Sequence, residues 1–364
     1  MSKFEILKLP AEIQYADELA ALCAQDAGPK PAGWRLSPAA VKRFIVGSDS
    51  PRVSRKFYGD DVLVERAIVT LAGNRGLMLV GEPGTAKSML SELLAAAISG
   101  NSLLTIQGTA GTTEDQIKYA WNYALLLAEG PGPRALVPGP IHTGMKNGCL
   151  VRFEEITRCQ PEIQDTLVSL LSEKCMMIPE FGDGEAVLSA RPGFNLIATA
   201  NLRDRGVNEM SSALKRRFNF ETVFPIRDKA LEMRIVREQT ERLLSEHGIS
   251  TAFPEDTLDL LVTTFRDLRE GRTEEGAQLE KPGTVMSTAE AVSVSFSACL
   301  DAHYFGGGPV GGAHICRQLA GTVFKDDPAD ARKLDHYLRV VARLRASRGG
   351  VWETFYNARA VPPE

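Results

Sequence analysis

The stretch from residue 76 to residue 88 restricts the possible folds of this chain more than any other segment. An apolar run at 76–80 predicts a buried strand, a turn rich in glycine and proline follows it, and apolar residues at 89–98 predict a helix. A strand, such a turn and a helix in this order form a cradle for phosphate groups. The backbone N–H groups at the helix start point at the ligand, and the helix dipole favours its negative charge.

The residues between this strand and this helix are typical of a nucleotide-binding P-loop. Lys87 is placed to reach the β- and γ-phosphates, and the Ser88 hydroxyl is placed to ligate Mg²⁺. We therefore expect ATP and Mg²⁺ as ligands, with the phosphates bound by Gly81, Glu82, Pro83, Gly84, Thr85, Ala86, Lys87 and Ser88. Ala86 stands where a glycine usually precedes the lysine, and we expect it to be tolerated because alanine permits helical backbone angles. The alternative, a solvated loop that ends in Lys-Ser, is disfavoured by the flanking strand and helix.

The composition disfavours several functional classes. The chain has 364 residues, enough for two or three domains, and its net charge of −4 provides no global basic field for nucleic acid or anionic lipid. The first residues lack the apolar core of a signal peptide, and no segment is long and apolar enough to cross a bilayer. We therefore expect a cytoplasmic protein without membrane association. The six cysteines are scattered without a Cys-x-x-Cys pair, which favours reduced thiols over disulfides or a zinc site.

The residue pattern divides the chain into three regions. Residues 1–57 predict a helical extension that packs on the next domain, with a helix at 11–24. Residues 58–225 begin with an amphipathic helix at 61–72 and then alternate apolar strands with helices, which predicts an α/β core with a largely parallel sheet and helices on both faces. Residues 226–364 predict a helical domain. Its last segment carries Trp352, Phe355 and Tyr356, which either dock on the domain or bind a partner.

Two carboxylates follow the apolar run at 149–153. At the end of a strand beside the P-loop, Glu154 would hold Mg²⁺ through water, and Glu155 would polarise the water that attacks the γ-phosphate. Glu154 is one methylene longer than the aspartate usual at this position, which shifts the geometry of its contact. Arg152 interrupts the apolar run, which indicates a strand with one partly open face. The alternative is a surface Glu-Glu pair that begins a helix at 161–172.

Two later segments complete the predicted site. Asn201 ends a buried strand at 195–200, where its carboxamide can bond both the attacking water and the γ-phosphate. An asparagine at a strand end is otherwise an ordinary turn residue. Arg216 and Arg217 precede the last strand, and a guanidinium that reaches a neighbouring subunit's γ-phosphate would act as an arginine finger. Arg217 is our first candidate and Arg216 our second, and the alternative is that both merely complement the dipole of a helix end.

These motifs, in this order, resemble those of AAA+ ATPases and, within them, the MoxR family, with the closest similarity to its YehL-like branch. The resemblance is carried by the P-loop, Val-Pro-Gly-Pro-Ile at 137–141, the Glu-Glu pair with Ile-Thr-Arg at 156–158, the segment 164–173, Thr-Ala-Asn at 199–201 and Arg-Arg-Phe at 216–218. It covers residues 58–225 well and the helical part loosely. The resemblance implies a P-loop NTPase core of αβα type with a five-stranded parallel sheet, followed by a helical lid. It also implies a ring, usually a hexamer, with ATP at subunit interfaces, a helix-two insert within 119–139 and a hairpin within 179–192.

The resemblance also implies a function. MoxR proteins are similar to chaperones or remodelling factors that work with proteins carrying von Willebrand factor A domains. We therefore expect Mg²⁺-dependent ATP hydrolysis by a ring that remodels or activates a partner protein.

Two departures from the family pattern keep a second hypothesis open. Many relatives have a lid arginine in a Ser-Pro-Arg-Ala-like stretch, whereas the corresponding residues here are Ser287-Thr288-Ala289-Glu290. Together with Glu154, this leaves room for a nucleotide-gated binding scaffold with little hydrolysis. A third hypothesis, a DNA-acting motor, is disfavoured by the acidic balance and the lack of a recognisable DNA-binding module.

Overall fold

The computed structural model describes residues 8–182, 186–201, 208–283, 286–306, 308–323 and 328–359. The chain divides into two compact units. The first contains Met1–Glu82 and Ala86–Phe224, and the second contains Pro83–Thr85 and Pro225–Glu364. The N-terminal helices therefore belong to the same unit as the central strands.

The first unit combines helices with short and long strands. Within the described residues its helices are α1 (Ala11–Gln14), α2 (Ala16–Gln25), α3 (Pro38–Val46), α4 (Asp61–Ala72), α5 (Lys87–Ser99), α6 (Glu114–Ile117), α7 (Tyr123–Glu129), α8 (Pro140–Asn147), α9 (Pro161–Glu173) and α10 (Ser212–Lys215). Its strands are β1 (Ser48–Asp49), β2 (Arg52–Val53), β3 (Gly76–Gly81), β4 (Thr105–Gln107), β5 (Tyr119–Trp121), β6 (Leu136–Pro138), β7 (Leu150–Glu154), β8 (Cys175–Met177), β9 (Val187–Ser189), β10 (Asn195–Ala200) and β11 (Phe218–Val223). A 3₁₀ turn, Ile156–Arg158, follows β7.

The predicted five-stranded parallel sheet is confirmed. Its strands lie in the order β11-β3-β10-β7-β4, and every neighbouring pair is parallel. β10 is buried along its whole length and β3 along all but its last residue, as expected for central strands of a sheet covered on both faces. Because all five strands run in one direction, the carboxyl ends of β3, β7 and β10 meet at a single edge.

Some elements have the predicted bounds, and the first helix does not. α4 and β10 coincide with the predicted segments 61–72 and 195–200. Asp60 fixes the start of α4 by accepting a hydrogen bond from the Val62 amide at 2.9 Å. The predicted helix at 11–24 is instead two helices that meet at Tyr15, where φ is −112° and ψ is 29°. The Tyr15 ring packs edge-on against Phe44, a tertiary contact that competes with local helix propensity.

The N-terminal helices share a core with the nucleotide-binding strand. Leu22, Trp34 and Phe44 lie in the same buried cluster as Leu77 of β3 and Leu90 of α5. Burial of this kind stabilises the folded state because apolar surface is removed from water. The N-terminal segment therefore packs on the core and is not a separate unit joined to it by a linker.

A buried lysine holds this N-terminal segment together. The Lys56 ammonium forms an ion pair with Glu18 and donates to the carbonyl oxygens of Phe44 and Ser54 at 3.0 and 2.9 Å. It also lies over the rings of Tyr15 and Phe44, at 4.7 and 4.3 Å from their centroids. Burial lowers the pKa of Lys56 in spite of the opposing effect of Glu18. The acceptors and aromatic faces around the ammonium offset part of the cost of its burial.

Two small antiparallel hairpins are added to the core. β5 pairs with β6, and the short helix α7 lies between them in sequence. This hairpin falls within the predicted insert at 119–139. β8 pairs with β9, so the second hairpin begins before its expected range of 179–192. Lys174, which ends α9 with a left-handed φ of 52°, turns the chain into β8 at once.

The predicted helical C-terminal region is confirmed. Its helices in the described residues are α11 (Lys229–Glu246), α12 (Glu255–Glu270), α13 (Thr288–Asp301), α14 (Gly312–Val323), α15 (Pro328–Tyr337), α16 (Arg343–Ala346) and α17 (Val351–Asn357), with π-helical turns at Ala302–Gly306 and Leu338–Ala342. Phe355 of α17 is fully buried in the core of this unit. The described part of the tail therefore docks on its own unit. No helix among the described ranges has the length and apolar character needed to cross a membrane.

Residues 287–290, which lack the arginine that many relatives carry there, are bonded to a buried carboxylate that two arginines of α12 also contact. Ser287 caps α13, and the Thr288 hydroxyl donates to Glu232 at 2.8 Å. Glu232 is fully buried and also accepts from Arg269 at 2.8 Å and from Arg266 at 3.3 Å. Three helices of the second unit are thus joined at one carboxylate, which is tolerated in the core because its charge is paired.

Candidate functional site

Most of the predicted site residues lie at the shared carboxyl edge of the sheet. Strand β10 pairs with β3 through Ala200 and Val80, and with β7 through Ala198 and Phe153. The P-loop follows β3, the Glu-Glu pair ends β7, and Asn201 follows β10. The parallel topology therefore brings three separate sequence motifs to adjoining strand ends.

The P-loop lysine is folded against its own loop. Lys87 is the first residue of α5 and is only 7% exposed. Its ammonium donates to the carbonyl oxygens of Gly81 and Glu82 at 3.1 and 2.7 Å. Gly84 has a φ of +75°, a left-handed conformation that favours glycine. Lys87 is thus held at the start of the helix, beside the amide groups that a phosphate would approach.

Ala86 adopts a conformation that its sequence position did not lead us to expect. We expected helical backbone angles, but Ala86 precedes α5 with φ 66° and ψ 23°, in the left-handed region. An alanine there brings its Cβ close to a backbone oxygen, at a cost of about 1–2 kcal/mol. This explains why glycine is usual at the position, and it identifies a strained residue next to Lys87.

Replacing this residue with glycine is expected to stabilise the protein. Ala86→Gly should raise the free energy of unfolding by about 0.5–1 kcal/mol, because relief of the left-handed strain exceeds the added entropy of the unfolded chain. Ala20, an exposed residue inside α2, is a matched control. Ala20→Gly should lower stability by about 1 kcal/mol. Urea unfolding of both variants measures the difference, and a loss of stability in Ala86→Gly would contradict the account.

The Glu154 carboxylate accepts four hydrogen bonds within the site. It is 5% exposed, and its Oε2 accepts from the hydroxyls of Ser88 and Thr199 at 2.7 and 2.8 Å. Its Oε1 accepts from Ser91 at 2.6 Å and from Arg152 at 2.9 Å. Burial alone raises the pKa of Glu154, but these hydrogen bonds and the Arg152 charge outweigh it and lower the pKa below its usual value. The carboxylate is therefore ionised and fixed in direction.

Arg152 differs from the sequence expectation. A partly open strand face was expected around it, but Arg152 is only 9% exposed and every residue of β7 is buried. The guanidinium is compatible with this burial because it forms an ion pair with Glu154 on the same face of the strand. An arginine inside an apolar run was the available signal, although the sequence did not reveal its partner.

Glu155 has a conformation suited to a functional residue. Its φ of 53° and ψ of 44° are left-handed, and its amide donates to the Thr199 hydroxyl at 3.0 Å. Its carboxylate forms an ion pair with Arg158 at 2.7 Å, and the side chain is 34% exposed. Such strained residues occur most often at active sites. Unlike Glu154, Glu155 is accessible to a ligand.

A cavity adjoins Glu155. Its volume is about 210 Å³, and it is lined by Gln107, Gly108, Thr109, Ala110, Glu155 and Arg158. A Cβ at Gly108 would lie 2.4 Å from the carbonyl oxygen of Glu155, so only glycine fits there. The close approach of the chain after β4 thus shapes the space in front of Glu155.

No role of its own was predicted for Thr199 from the sequence. Thr199 lies in β10 and connects the two glutamates, since its hydroxyl donates to Glu154 and accepts from the Glu155 amide. Its place in the Thr-Ala-Asn strand end was the available signal, but the sequence did not reveal its two partners. Asn201 stands two residues later at the strand end and is partly buried, while residues 202–207 lie outside the described residues.

The two candidate finger arginines lie at the opposite edge of the sheet. They precede β11, whose first residue, Phe218, pairs with Gly76 at the start of β3. Arg217 donates to the Ser172 hydroxyl at 2.9 Å and to the Ala213 carbonyl at 3.0 Å. The Arg216 side chain is exposed and forms no hydrogen bond or ion pair within the described part of the chain. Neither arginine belongs to the P-loop site of its own chain.

The residues at the P-loop edge fit a nucleotide-bound magnesium ion. The hydroxyl of Ser88 and the carboxylate of Glu154 are oxygen donors, which Mg²⁺ prefers. The described residues contain no group of three or more His, Cys, Asp or Glu that would hold a metal alone. Mg²⁺ that is bound with a nucleotide is typically held by one or two protein oxygens together with phosphate oxygens.

Comparison with known families defines the class of protein. Residues 76–218 match the family described as AAA domain (dynein-related subfamily), which covers the strands and loops of the site. Residues 230–362 match the YehL-like AAA+ ATPase C-terminal domain. The YehL protein of Escherichia coli K12 is 51% identical over 350 residues, which are 96% of each chain. The chain therefore belongs to the YehL-like AAA+ ATPases, as the motifs predicted.

More distant relatives share parts of the chain. YojN of Bacillus subtilis is 29% identical over 168 residues, which are 44% of this chain and 51% of YojN. The crystal structure of NtrX from Brucella abortus in complex with ADP superposes with a TM-score of 0.51 at 10% identity. That likeness covers 83% of this chain but only 64% of NtrX, and it supports the fold alone.

Proposed function

We propose that this protein is a Mg²⁺-dependent ATPase that assembles into a ring and uses hydrolysis to remodel or activate a partner protein. The observation that carries the proposal is the contact of Ser88 with Glu154, 2.7 Å apart, directly beside the P-loop lysine. This arrangement places a metal-ligating hydroxyl and a carboxylate at the helix end that attracts phosphate.

The P-loop residues would bind the nucleotide. Lys87 exchanges its bonds to the loop carbonyls for bonds to the β- and γ-phosphate oxygens. The amide groups at the start of α5 donate to the same anion. Ser88 and Glu154 would hold magnesium, which neutralises charge on the phosphates when it is bound. These contacts position the triphosphate without contributing a proton transfer.

Glu155 and Asn201 would prepare the attacking water. Glu155 borders the cavity and is the accessible carboxylate of the pair, so it polarises and orients the water. To do so, its carboxylate has to turn from Arg158 toward the γ-phosphate. Asn201, from the end of the neighbouring strand, bonds the water and the γ-phosphate through its carboxamide.

The arginine before β11 would complete a neighbour's site. Because the Arg216-Arg217 pair lies at the other edge of its own sheet, a guanidinium from this segment serves a second subunit. Of the two, Arg216 is exposed, whereas Arg217 is bonded to Ser172 and Ala213. We therefore place Arg216 first as the finger and Arg217 second. Because an arginine from a neighbouring subunit would stabilise the transition-state charge, hydrolysis would depend on assembly.

The proposed assembly and partner are supported by family membership and by the MoxR resemblance. We propose a hexameric ring in the cytoplasm, because AAA+ ATPases commonly form rings with nucleotide at the subunit interfaces. The partner is proposed to be a protein with a von Willebrand factor A domain, as the MoxR resemblance implies. The two hairpins β5-β6 and β8-β9 are the elements we propose to face the pore.

A second candidate function is a nucleotide-gated scaffold with little hydrolysis. It is favoured by the two ion pairs that hold the glutamates, Glu154 with Arg152 and Glu155 with Arg158. In this case ATP would set the conformation and the affinity for the partner. Glu155 would then remain bonded to Arg158 when the nucleotide is bound.

Steady-state phosphate release distinguishes the two functions. The proposed ATPase should release phosphate from ATP with Mg²⁺, and its specific activity should rise with protein concentration because each site needs a neighbour. The scaffold should bind ATP without release at any concentration. Absence of phosphate release, both alone and with a von Willebrand factor A protein added, would exclude the proposed hydrolysis and leave the scaffold.

A further inference from the structure

The guanidinium of Arg152 uses all of its donors inside the phosphate site. Its Nε donates to the Ser91 hydroxyl at 2.9 Å, and one terminal nitrogen donates to Ser102 O at 3.1 Å and to Thr105 Oγ1 at 3.4 Å. The other terminal nitrogen donates to Ser88 O at 3.0 Å and to Glu154 Oε1 at 2.9 Å. An arginine has five N–H donors, so this one is saturated and rigid.

These bonds connect the structural parts of the P-loop site. Ser88 and Ser91 belong to the first turns of α5, and Glu154 ends β7. Thr105 begins β4, and Ser102 lies in the segment before it. The Arg152 guanidinium therefore lies where α5, β7 and the segment that leads into β4 meet. The guanidinium donates to Oε1 of Glu154, while Oε2 of Glu154 accepts from the Ser88 hydroxyl.

The ion pair of Arg152 with Glu154 also changes the net charge of the site. A carboxylate behind a P-loop without a cation adds one negative charge to a pocket that binds a polyanion. Here the Arg152 guanidinium cancels that charge at 2.9 Å, within a region only 5–9% exposed. Low exposure means that solvent does little to screen the interaction.

We propose that Arg152 is a fixed counter-ion of Glu154 and allows the site to bind nucleoside triphosphate with little dependence on a metal ion. Arg152 also positions the Glu154 carboxylate by donating to its Oε1 atom. This inference rests on the proposed nucleotide site and deepens it. With the pair intact, the phosphates meet a neutral pocket and Lys87 even before magnesium is bound. With Arg152 removed, the phosphates meet an unneutralised carboxylate, and only a bound cation can offset it.

The charge of the pair gives each variant a signed expectation. The quantity measured is the Kd for ATP in EDTA divided by the Kd for ATP in Mg²⁺, from calorimetric titration. Arg152→Met leaves one negative charge and should raise this ratio about tenfold or more, chiefly by weakening metal-free binding. Arg152→Gln, a second neutral replacement that keeps N–H donors, should raise the ratio in the same way. Arg152→Lys keeps the charge and should stay near the wild-type ratio.

A purely structural role predicts a different pattern. If Arg152 only supported the fold, its loss would weaken ATP binding equally in EDTA and in Mg²⁺, and the ratio would not change. Arg345→Met is the matched control, because Arg345 is also buried and pairs with the buried Asp267 at 2.7 Å within the second unit. It should lower the melting temperature and leave the ratio unchanged.

The outcomes separate this inference from the proposed function. A ratio that follows the charge of the pair supports the counter-ion. Wild-type binding with the same ratio in every variant that binds overturns the counter-ion and leaves the nucleotide site intact. If Arg152→Met does not fold, the ratios of Arg152→Gln and Arg152→Lys still decide, since the first must rise and the second must match wild type. No ATP binding by the wild-type chain in either buffer overturns both ideas.

Discussion

Replacing Arg216 with alanine is expected to lower the ATPase rate about a thousandfold, the low end of the effect of an arginine finger. The side chain is exposed, and it lies at the sheet edge away from its own P-loop. Its loss should therefore spare ATP binding by its own chain and remove transition-state stabilisation from the neighbouring site. Phosphate release and ATP titration on the same preparation measure the two effects.

Mixing two inactive variants tests whether the arginine acts between subunits. A ring of Arg216→Ala and Glu155→Gln chains contains interfaces where an intact Glu155 meets an intact Arg216 from the neighbour. Such a mixture should regain hydrolysis that neither variant has alone. No recovery at any mixing ratio, in rings shown to contain both chains, would contradict action between subunits.

The neighbouring cations provide controls. Lys215, at the end of α10, pairs with Glu209 at 3.0 Å, and Lys215→Ala should keep the wild-type rate. Arg217→Ala should lower the melting temperature, because it removes bonds to Ser172 and Ala213. If Arg217→Ala loses ATPase activity at an unchanged melting temperature while Arg216→Ala remains active, the finger is Arg217.

Glu155→Gln is expected to abolish turnover while ATP remains bound. Loss of a general base lowers the rate about 10²–10⁴-fold, and the amide keeps the size and shape of the side chain. ATP affinity should change little, because Glu155 borders the cavity rather than the P-loop. Single-turnover hydrolysis and a binding titration measure both quantities, and the variant should accumulate ATP-bound rings.

An acidic residue nearby provides the matched control for that experiment. Glu162 is exposed in the first turn of α9, and Glu162→Gln should hydrolyse ATP at the wild-type rate. Normal hydrolysis by Glu155→Gln would remove Glu155 from the role of base. The alternative scaffold predicts instead that the wild type is already as slow as this variant.

The order of the motifs was sufficient to predict how the core is built. Apolar runs predicted strands at 76–80, 149–153 and 195–200, and the family resemblance implied a sheet of five. β10 was predicted to the residue because all six of its side chains are buried. The same logic placed Glu154 and Asn201 at strand ends. Parallel topology then brings them together, since strands that run in one direction end at the same edge.

Features that depend on distant partners were not predictable. Arg152 is buried because Ser88, Ser91 and Ser102 meet it from other elements, a contact set that no local pattern reveals. Ala86 is left-handed because the loop must turn into α5, and the sequence alone suggested the opposite. Thr199 acts through one hydroxyl in an apolar strand, where its residue type predicts only β structure.

The most direct test is a calorimetric titration of ATP with Mg²⁺ into the wild-type protein and into Lys87→Ala. We expect saturable binding at one site per chain in the wild type and affinity reduced at least about a hundredfold in Lys87→Ala, because a buried ammonium pairs with the phosphates. A melting curve establishes that the variant is folded. Absence of binding by the wild type, or equal binding by folded Lys87→Ala, would contradict a nucleotide site at the junction of β3 and α5.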